Sequence, residues 1–229
     1  MSGSRQVEVS EFLGRAGIAL YFSVAAMVKI MSITRLLGSS SPPADNWLLL
    51  LLSDLASLVF LCLIVVMAVI RLKPSRGAQG IEPRVTAMAA TYLMLPLVVM
   101  VESVPPSAAV AVAGLCLVAL GFALSAYVLA WLGRSFSIMA EARRLVTGGP
   151  YAIVRHPLYV TEAIAVLGMV MLNWSLIAVL VVGVQWCLQL RRMRHEEEVL
   201  RAAFPEYEAY AGRTPRWLPW LPGRQRQPA

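Results

Sequence analysis

The chain has 229 residues, 59% of them hydrophobic and 14% charged, with a mean hydropathy of +0.69. Soluble domains hold about 45–50% apolar and about 25% charged residues, so the composition excludes an ordinary soluble enzyme and points to one compact membrane domain. The net charge of +7 would suit a nucleic-acid surface, but the basic residues follow the loops of a membrane topology instead.

Residues 1–11 are polar and expected to be loosely ordered. No secretory leader is expected, because the first apolar run begins near Phe12, lacks a small-residue cleavage site and contains Lys29. Phe12–Leu37 is a first helix of spanning length, since about 20 residues cross the hydrocarbon core. Gly38–Asn46 is a loop by its Ser, Pro and Asn content. Trp47–Ile70 is the second span, with Trp47 as an interfacial anchor. Asp54 lies two turns inside it and is expected to pair with Lys29 across helices. Leu72–Arg84 is a basic loop. Val85–Val101 is the third span, kinked at Pro96, and Glu102–Ser107 is a turn. Ala108–Leu132 is the fourth span, rich in Ala and Gly that let helix backbones approach closely.

Gly133–Pro157 is the longest polar connection. Leu158–Gln189 is too long for one crossing and is interrupted at Asn173-Trp174. It predicts a helical hairpin with arms at about 158–172 and 175–190; each arm of roughly 15–16 residues reaches only about 23 Å. From Arg191 a separate amphipathic helix is expected, leading into a tail rich in Pro, Trp and Arg. Cys62, Cys116 and Cys187 sit inside apolar runs, with no disulfide framework and no metal-ligand spacing; they read as small buried hydrophobes. The expected fold is an all-α membrane protein of about four spanning helices, a C-terminal hairpin and a cytosolic amphipathic helix.

Charge sets the orientation. If the N-terminus, the 71–84 loop, the 133–157 loop and the tail share one side, that side carries 18 of the 20 basic residues. The positive-inside rule makes it cytoplasmic. The net charge is therefore a topology signal, and nucleic acid is not an expected partner.

The same topology brings two polar segments together. Gly148–Glu162 is a turn-rich island holding Arg155 and His156, one of the chain's two histidines. The second segment is Arg192-Met193-Arg194-His195-Glu196-Glu197-Glu198. A hairpin returns the chain to its start, so an Arg-His pair and a glutamate cluster meet at the cytosolic interface. The combination suits a zwitterionic ligand: a carboxylate takes an arginine fork and an ammonium takes glutamate. Gly148, Gly149 and Pro150 favour an exposed backbone that can bond a ligand directly. The bland alternatives are a solvated glutamate face with i,i+4 pairs such as Arg192–Glu196, a merely exposed His195, and Trp217 and Trp220 as interfacial anchors.

In order, Gly149-Pro150-Tyr151-x-x-Val154-Arg155-His156-Pro157-x-Tyr159, the hairpin, Arg192-x-x-x-Glu196-Glu197, Phe204-x-x-Tyr207-x-x-Tyr210 and Pro215-Arg216-x-x-Pro219 resemble the isoprenylcysteine carboxyl methyltransferase superfamily, which includes phospholipid N-methyltransferases and bacterial thiol methyltransferases. Leu132–Ser137 and Leu145–Thr147 fit as well. The resemblance covers about residues 131–221. It implies an S-adenosyl-L-methionine pocket open to the cytosol and a lipophilic methyl acceptor entering from the bilayer. It divides the chain into N-terminal transmembrane helices, 1–132, and a methyltransferase core, 133–229. By position, Gly149, Tyr151, Arg155, His156, Pro157 and Tyr159 belong to the cofactor site. Arg192, Glu196 and Glu197 are the catalytic group, holding the cofactor's charged end or orienting the acceptor. No metal is implied. The expected setting is a bacterial inner membrane, with the N-terminus and cofactor site cytoplasmic.

Two positions depart from the family pattern. Thr161 replaces a common Gly, followed by Glu162, and is expected either to narrow the pocket or to alter the acceptor channel. Arg143 stands where bacterial relatives often have His. The implied activity is isoprenylcysteine carboxyl methyltransferase-like, with phospholipid N-methyl or thiol S-methyl transfer as alternatives. The alternative of another class is a non-catalytic membrane scaffold or transporter-like protein.

Overall fold

The structure, a computed structural model, describes residues 2–38, 46–93 and 107–219, with side chains from Arg15 onward. Pro96, the 102–106 turn, the interior of the 38–46 loop and Trp220 lie outside those residues. The elements in chain order are α1 (Ser2–Gly38), α2 (Trp47–Ile70), β1 (Arg76–Gly77), α3 (Glu82–Tyr92), α4 (Ala108–Leu132), β2 (Glu141–Ala142), α5 (Pro150–Ile153), α6 (Pro157–Leu172), α7 (Leu176–Ala203) and α8 (Tyr207–Arg213). The helical membrane fold expected from the sequence is therefore present, with one two-residue strand pair added.

Four helical segments have the length and apolar character to cross a membrane: Arg15–Gly38, Trp47–Ile70, Ala108–Ser135 and Leu176–Ala203. The protein is an integral membrane protein. The described part of the third expected span is α3, which ends at Tyr92. At the N-terminus α1 already begins at Ser2, so the segment expected to be loosely ordered is continuous with the helix.

The bundle is built in sequence order, with α1 against α2, α2 against α4 and α4 against α6. A core of Ile18, Phe60, Ile64, Ala68, Ala126 and Leu129 joins the first three of these helices. Lys29 and Asp54 form the expected ion pair at 2.7 Å, and Ser32 donates to the other carboxylate oxygen at 2.7 Å. The α4–α6 contact is close because both faces are small. A Cβ on Gly121 would lie 2.4 Å from the Ala165 nitrogen, so no larger residue fits without parting the helices.

The hairpin differs from expectation. α6 stops at Leu172, where the Asn173 amide nitrogen bonds the Met169 carbonyl at 2.9 Å. The second arm and the amphipathic helix are then one unbroken helix from Leu176 to Ala203. Ser175 caps its start by accepting from the Ala178 amide at 3.1 Å. The polar switch at Arg191 changes the helix's surroundings and not its backbone, because no Gly or Pro intervenes before Ala203. At 1.5 Å per residue such a helix is about 42 Å long, enough to cross a core of about 30 Å and project a polar end. Its main packing partner is α3, while α6 lies along α4.

The cysteines are also corrected. Cys62, Cys116 and Cys187 are exposed on the outer faces of α2, α4 and α7, not buried. A helix that is apolar all round carries no stripe to say which face meets lipid.

The polar connections gather at one end of the bundle. β1 and β2 pair antiparallel, Arg76 with Ala142 and Gly77 with Glu141. The Leu72 amide donates to the Arg134 carbonyl and the Arg134 Nε to the Ile70 carbonyl, both at 2.9 Å. Arg76 donates to the Ala202 carbonyl. Arg191 on α7 meets Glu82 on α3 at 2.8 Å. The 71–84 loop, the 133–157 connection and the polar part of α7 thus meet at one end.

Candidate functional site at the polar end of the bundle

The site begins with a turn that only glycine fits. Gly149 has φ +59°, and a Cβ there would lie 2.6 Å from the Trp131 ring on α4. The turn launches the short helix α5, after which Val154 is extended and the chain bends through Arg155 and His156 into α6, with Pro157 at its first position. The C-terminal tail pairs with this stretch: the Arg155 amide donates to the Pro215 carbonyl at 2.8 Å and the His156 amide to the Arg216 carbonyl at 3.0 Å. Tyr210 on α8 donates its hydroxyl to the Tyr151 carbonyl at 2.7 Å.

Glu197 ties these pieces to α7. Its side chain is 0% exposed. Oε1 hydrogen-bonds His156 Nε2 at 3.0 Å, accepts from Arg216 Nε at 2.9 Å and forms an ion pair with Arg155 Nη1 at 3.1 Å. Oε2 receives Arg216 Nη2 at 2.6 Å and Arg201 Nη2, one helical turn on, at 3.5 Å. The two Arg216 contacts form a bidentate fork, and that bond to Glu197 is the main reason the Arg216 guanidinium pKa is raised. A carboxylate so fully committed has no capacity left for a ligand.

Glu196 is placed differently. It accepts the Tyr159 hydroxyl at 2.7 Å and Arg192 Nε at 3.1 Å, the latter being the expected i,i+4 pair. The Arg192 guanidinium sits over the Tyr159 ring, 5.4 Å from its centre, and Nη2 reaches the Ser137 carbonyl at 3.4 Å. Glu196 lines an open cleft of about 110 Å³, below the roughly 300–1,000 Å³ of small-molecule sites. Tyr151, Tyr159, Tyr207 and Tyr210 add aromatic walls, and Leu145, Val146 and Leu158 add apolar surface. Burial pushes the Tyr151, Tyr207 and Tyr210 hydroxyls up, so these phenols stay neutral donors.

Of the residues expected to form the site, Tyr151, Arg155, His156, Tyr159 and Glu196 line the cleft. Gly149, Pro157, Arg192 and Glu197 stand behind it, shaping the turn, starting α6 and fixing the liners. The arginine-histidine pair does meet the glutamate cluster, and Glu197 engages both residues, Arg155 through Nη1 with its Nε left without a partner and His156 through Nε2. The glutamates are no uniform solvated face: Glu197 is buried, Glu196 lines the cleft and only Glu198 is well exposed. His195 is likewise not simply exposed, since it meets Glu82 at 2.9 Å. Thr161 accepts from Ser125 on α4 at 2.9 Å and does not line the cleft, so it does not narrow it. Glu162 receives Gln189 on α7 at 3.4 Å.

Arg216, Arg201 and Arg143 were not assigned by sequence. Arg216 lies in the Pro-Arg-x-x-Pro ending, which carried the signal without the partner. Arg143 has a buried side chain in the cleft wall, with Nη2 on Glu141 at 2.5 Å and Ser137 bonding the same carboxylate oxygen at 2.7 Å.

Comparison with known proteins falls on this same region. Residues 109–207 match the family model of phospholipid methyltransferase. This C-terminal part resembles the isoprenylcysteine and phospholipid methyltransferase superfamily. The chain is 37% identical over 97 residues to protein-S-isoprenylcysteine O-methyltransferase of Schizosaccharomyces pombe, covering 39% of this chain and 41% of the relative. It is 35% identical over 115 residues to protein-S-isoprenylcysteine O-methyltransferase B of Arabidopsis thaliana, covering 47% and 58%. It is also 41% identical over 78 residues to a cobalt-zinc-cadmium resistance protein of Cupriavidus metallidurans, covering 34% and 36%. The chain therefore spans less than two thirds of the length of each of these relatives.

Proposed function

We propose that the protein is an S-adenosylmethionine-dependent integral membrane methyltransferase of the isoprenylcysteine carboxyl methyltransferase kind, methylating the carboxylate of a lipophilic acceptor that enters from the bilayer. The observation that carries this reading is the cleft itself. Tyr151, His156 and Tyr159 come from one stretch of the family motif and Glu196 from another, and all face one open space at the polar end of a membrane bundle.

The donor set fits the cofactor. Sulfonium and ammonium are cations, and the cleft offers the Glu196 carboxylate and four tyrosine rings to receive them. Leu145, Val146 and Leu158 give apolar surface for the adenosyl part. When bound, the cofactor supplies an electrophilic methyl group. The residues of the chain do the positioning. Glu196 holds the Tyr159 hydroxyl while Arg192, bonded to Glu196, covers its ring. Glu197 holds the His156 loop, α7 and the tail as one unit through Arg155, His156 and Arg216. Such alignment of reactants supplies roughly 7–11 kcal/mol at best. A carboxylate acceptor is already a nucleophile, so O-methyl transfer needs no general base; an amine or thiol acceptor would need one. In this reading the polar end is cytoplasmic, residues 1–132 are the transmembrane scaffold and 133–229 the core.

The test is transfer of labelled methyl groups by the detergent-purified full chain to prenylcysteine, amino-lipid and small-thiol acceptors. Label appearing as a base-labile ester on prenylcysteine is expected. Label only on the amine or the thiol moves the assignment to N- or S-methyl transfer. No label on any acceptor, with no cofactor binding, supports the non-catalytic scaffold.

A further inference from the structure

Arg143 is a guanidinium with donors left over. It follows β2 directly, and the pairing of β2 with β1 fixes its backbone. Its side chain is 0% exposed and lines the cleft. Nη2 is taken by Glu141, while Nε and Nη1 are buried without a hydrogen-bond partner. Arginine does not give up its proton in proteins, so the charge stays. Unmet buried donors cost about 1–3 kcal/mol, more when charged, and an anion entering the cleft recovers that cost. The other arginines of the cleft wall are differently placed: Arg155 pairs its Nη1 with the buried Glu197 and keeps one unmet donor, Nε, against two on Arg143, and Arg144 is exposed.

We propose that Arg143 is the anion-binding residue of the cleft and that it takes a carboxylate. A single negative charge fits better than a phosphate dianion, because Glu141 already holds one edge of the guanidinium and Glu196 lines the same cleft. With Glu196 as the acidic counterpart, the cleft recognises a zwitterion, and the anionic role falls to Arg143 rather than to the Arg155–His156 pair. The assignment rests on the proposed methyltransferase reading only for which molecule brings the carboxylate. Two do so: the amino-acid end of the cofactor and the free carboxylate of a prenylcysteine acceptor.

The experiment measures binding by calorimetry to the full chain in detergent, using two matched pairs of probes. S-adenosylhomocysteine is paired with 5′-methylthioadenosine, which lacks the amino-acid end. A prenylcysteine is paired with its methyl ester. Wild type is expected to prefer the carboxylate member of at least one pair. Arg143→Gln is expected to weaken that member by about tenfold or more, the size of a charge-assisted hydrogen bond, and to leave its partner probe unchanged. Loss confined to the first pair assigns the cofactor as the source, and loss confined to the second assigns the acceptor. Arg143→Lys, which keeps the charge, is expected to restore part of the preference and serves as the variant if Arg143→Gln does not fold. If wild type binds neither adenosyl probe, the cofactor reading falls while the prenylcysteine pair still tests Arg143. Equal binding of both members of both pairs by wild type, or an unchanged preference in the variants, overturns the assignment. Failure of wild type to bind any carboxylate probe overturns it as well.

Discussion

Glu197 and Arg143 are both buried charges at the same end of the bundle, but their surroundings are opposite. Around Glu197 every lone pair is spoken for by Arg155, His156, Arg201 and Arg216, and the side chain is sealed from solvent. In the cleft wall, Arg143 has one partner and two unmet donors. A saturated buried charge holds a fold together; an unsaturated one beside open space is suited to a ligand. The contrast separates the motif residues into those that build the site and those that face its contents.

Glu197→Ala is expected to have the largest effect, because it strands Arg155 and the buried His156 and cuts the tie between α7, the His156 loop and the tail. Breaking a buried pair costs about 3–5 kcal/mol; the lower end applies here because Arg201 and Arg216 keep some solvent contact. A large fall in the unfolding temperature in detergent would show it. An unfolding temperature equal to wild type would remove the distinction drawn above.

Gly149→Ala comes next. The left-handed φ and the clash with Trp131 together are expected to cost about 1–3 kcal/mol, seen as a lower unfolding temperature with ligand binding reduced in parallel. Retention of full stability would mean that the turn is not held against α4.

Tyr159→Phe sharpens the comparison from the ligand side. It removes the hydroxyl bond to Glu196, worth about 0.5–1.5 kcal/mol net, while keeping the ring over which Arg192 sits. The expectation is an intact fold with S-adenosylhomocysteine affinity lowered several-fold by calorimetry. A loss of stability without a change in affinity would place Tyr159 with Glu197 as a structural residue.

The smallest effect is expected at Thr161→Gly. Its hydroxyl bonds Ser125 and not the cleft, so affinity stays at the wild-type value and only packing of α6 on α4 loosens slightly. A change in acceptor preference in the methyl-transfer panel would contradict that placement.

Much of this was legible in the sequence. Apolar runs with breakers between them located the first two spans and the fourth. Lys29 and Asp54 were identifiable as partners because two isolated charges inside apolar helices have few other choices. The spacing of the motif on either side of the 158–189 segment foretold that His156 and Glu197 would be brought together. What linear reading missed depends on partners far apart in the chain. Arg155 and Arg143 are the same residue type in one polar connection, and only their partners, Glu197 arriving on α7 and Glu141 on β2, distinguish the one with a single unmet donor from the one with two. The unbroken α7 was missed for another reason: polarity changes at Arg191 while helix propensity does not. The lipid-facing cysteines were missed because helices apolar on all sides leave no periodicity to read.

The central claim is that the cleft binds the methyl donor's product. Calorimetry of wild-type protein with S-adenosylhomocysteine tests it most directly, supported by unfolding in the same detergent. A ligand that binds only the folded state at about 100 times its dissociation constant adds about 2.7 kcal/mol of apparent stability. Saturable binding with one site per chain and a matching rise in unfolding temperature is the expected result. No heat of binding and no rise in unfolding temperature at millimolar ligand would contradict it.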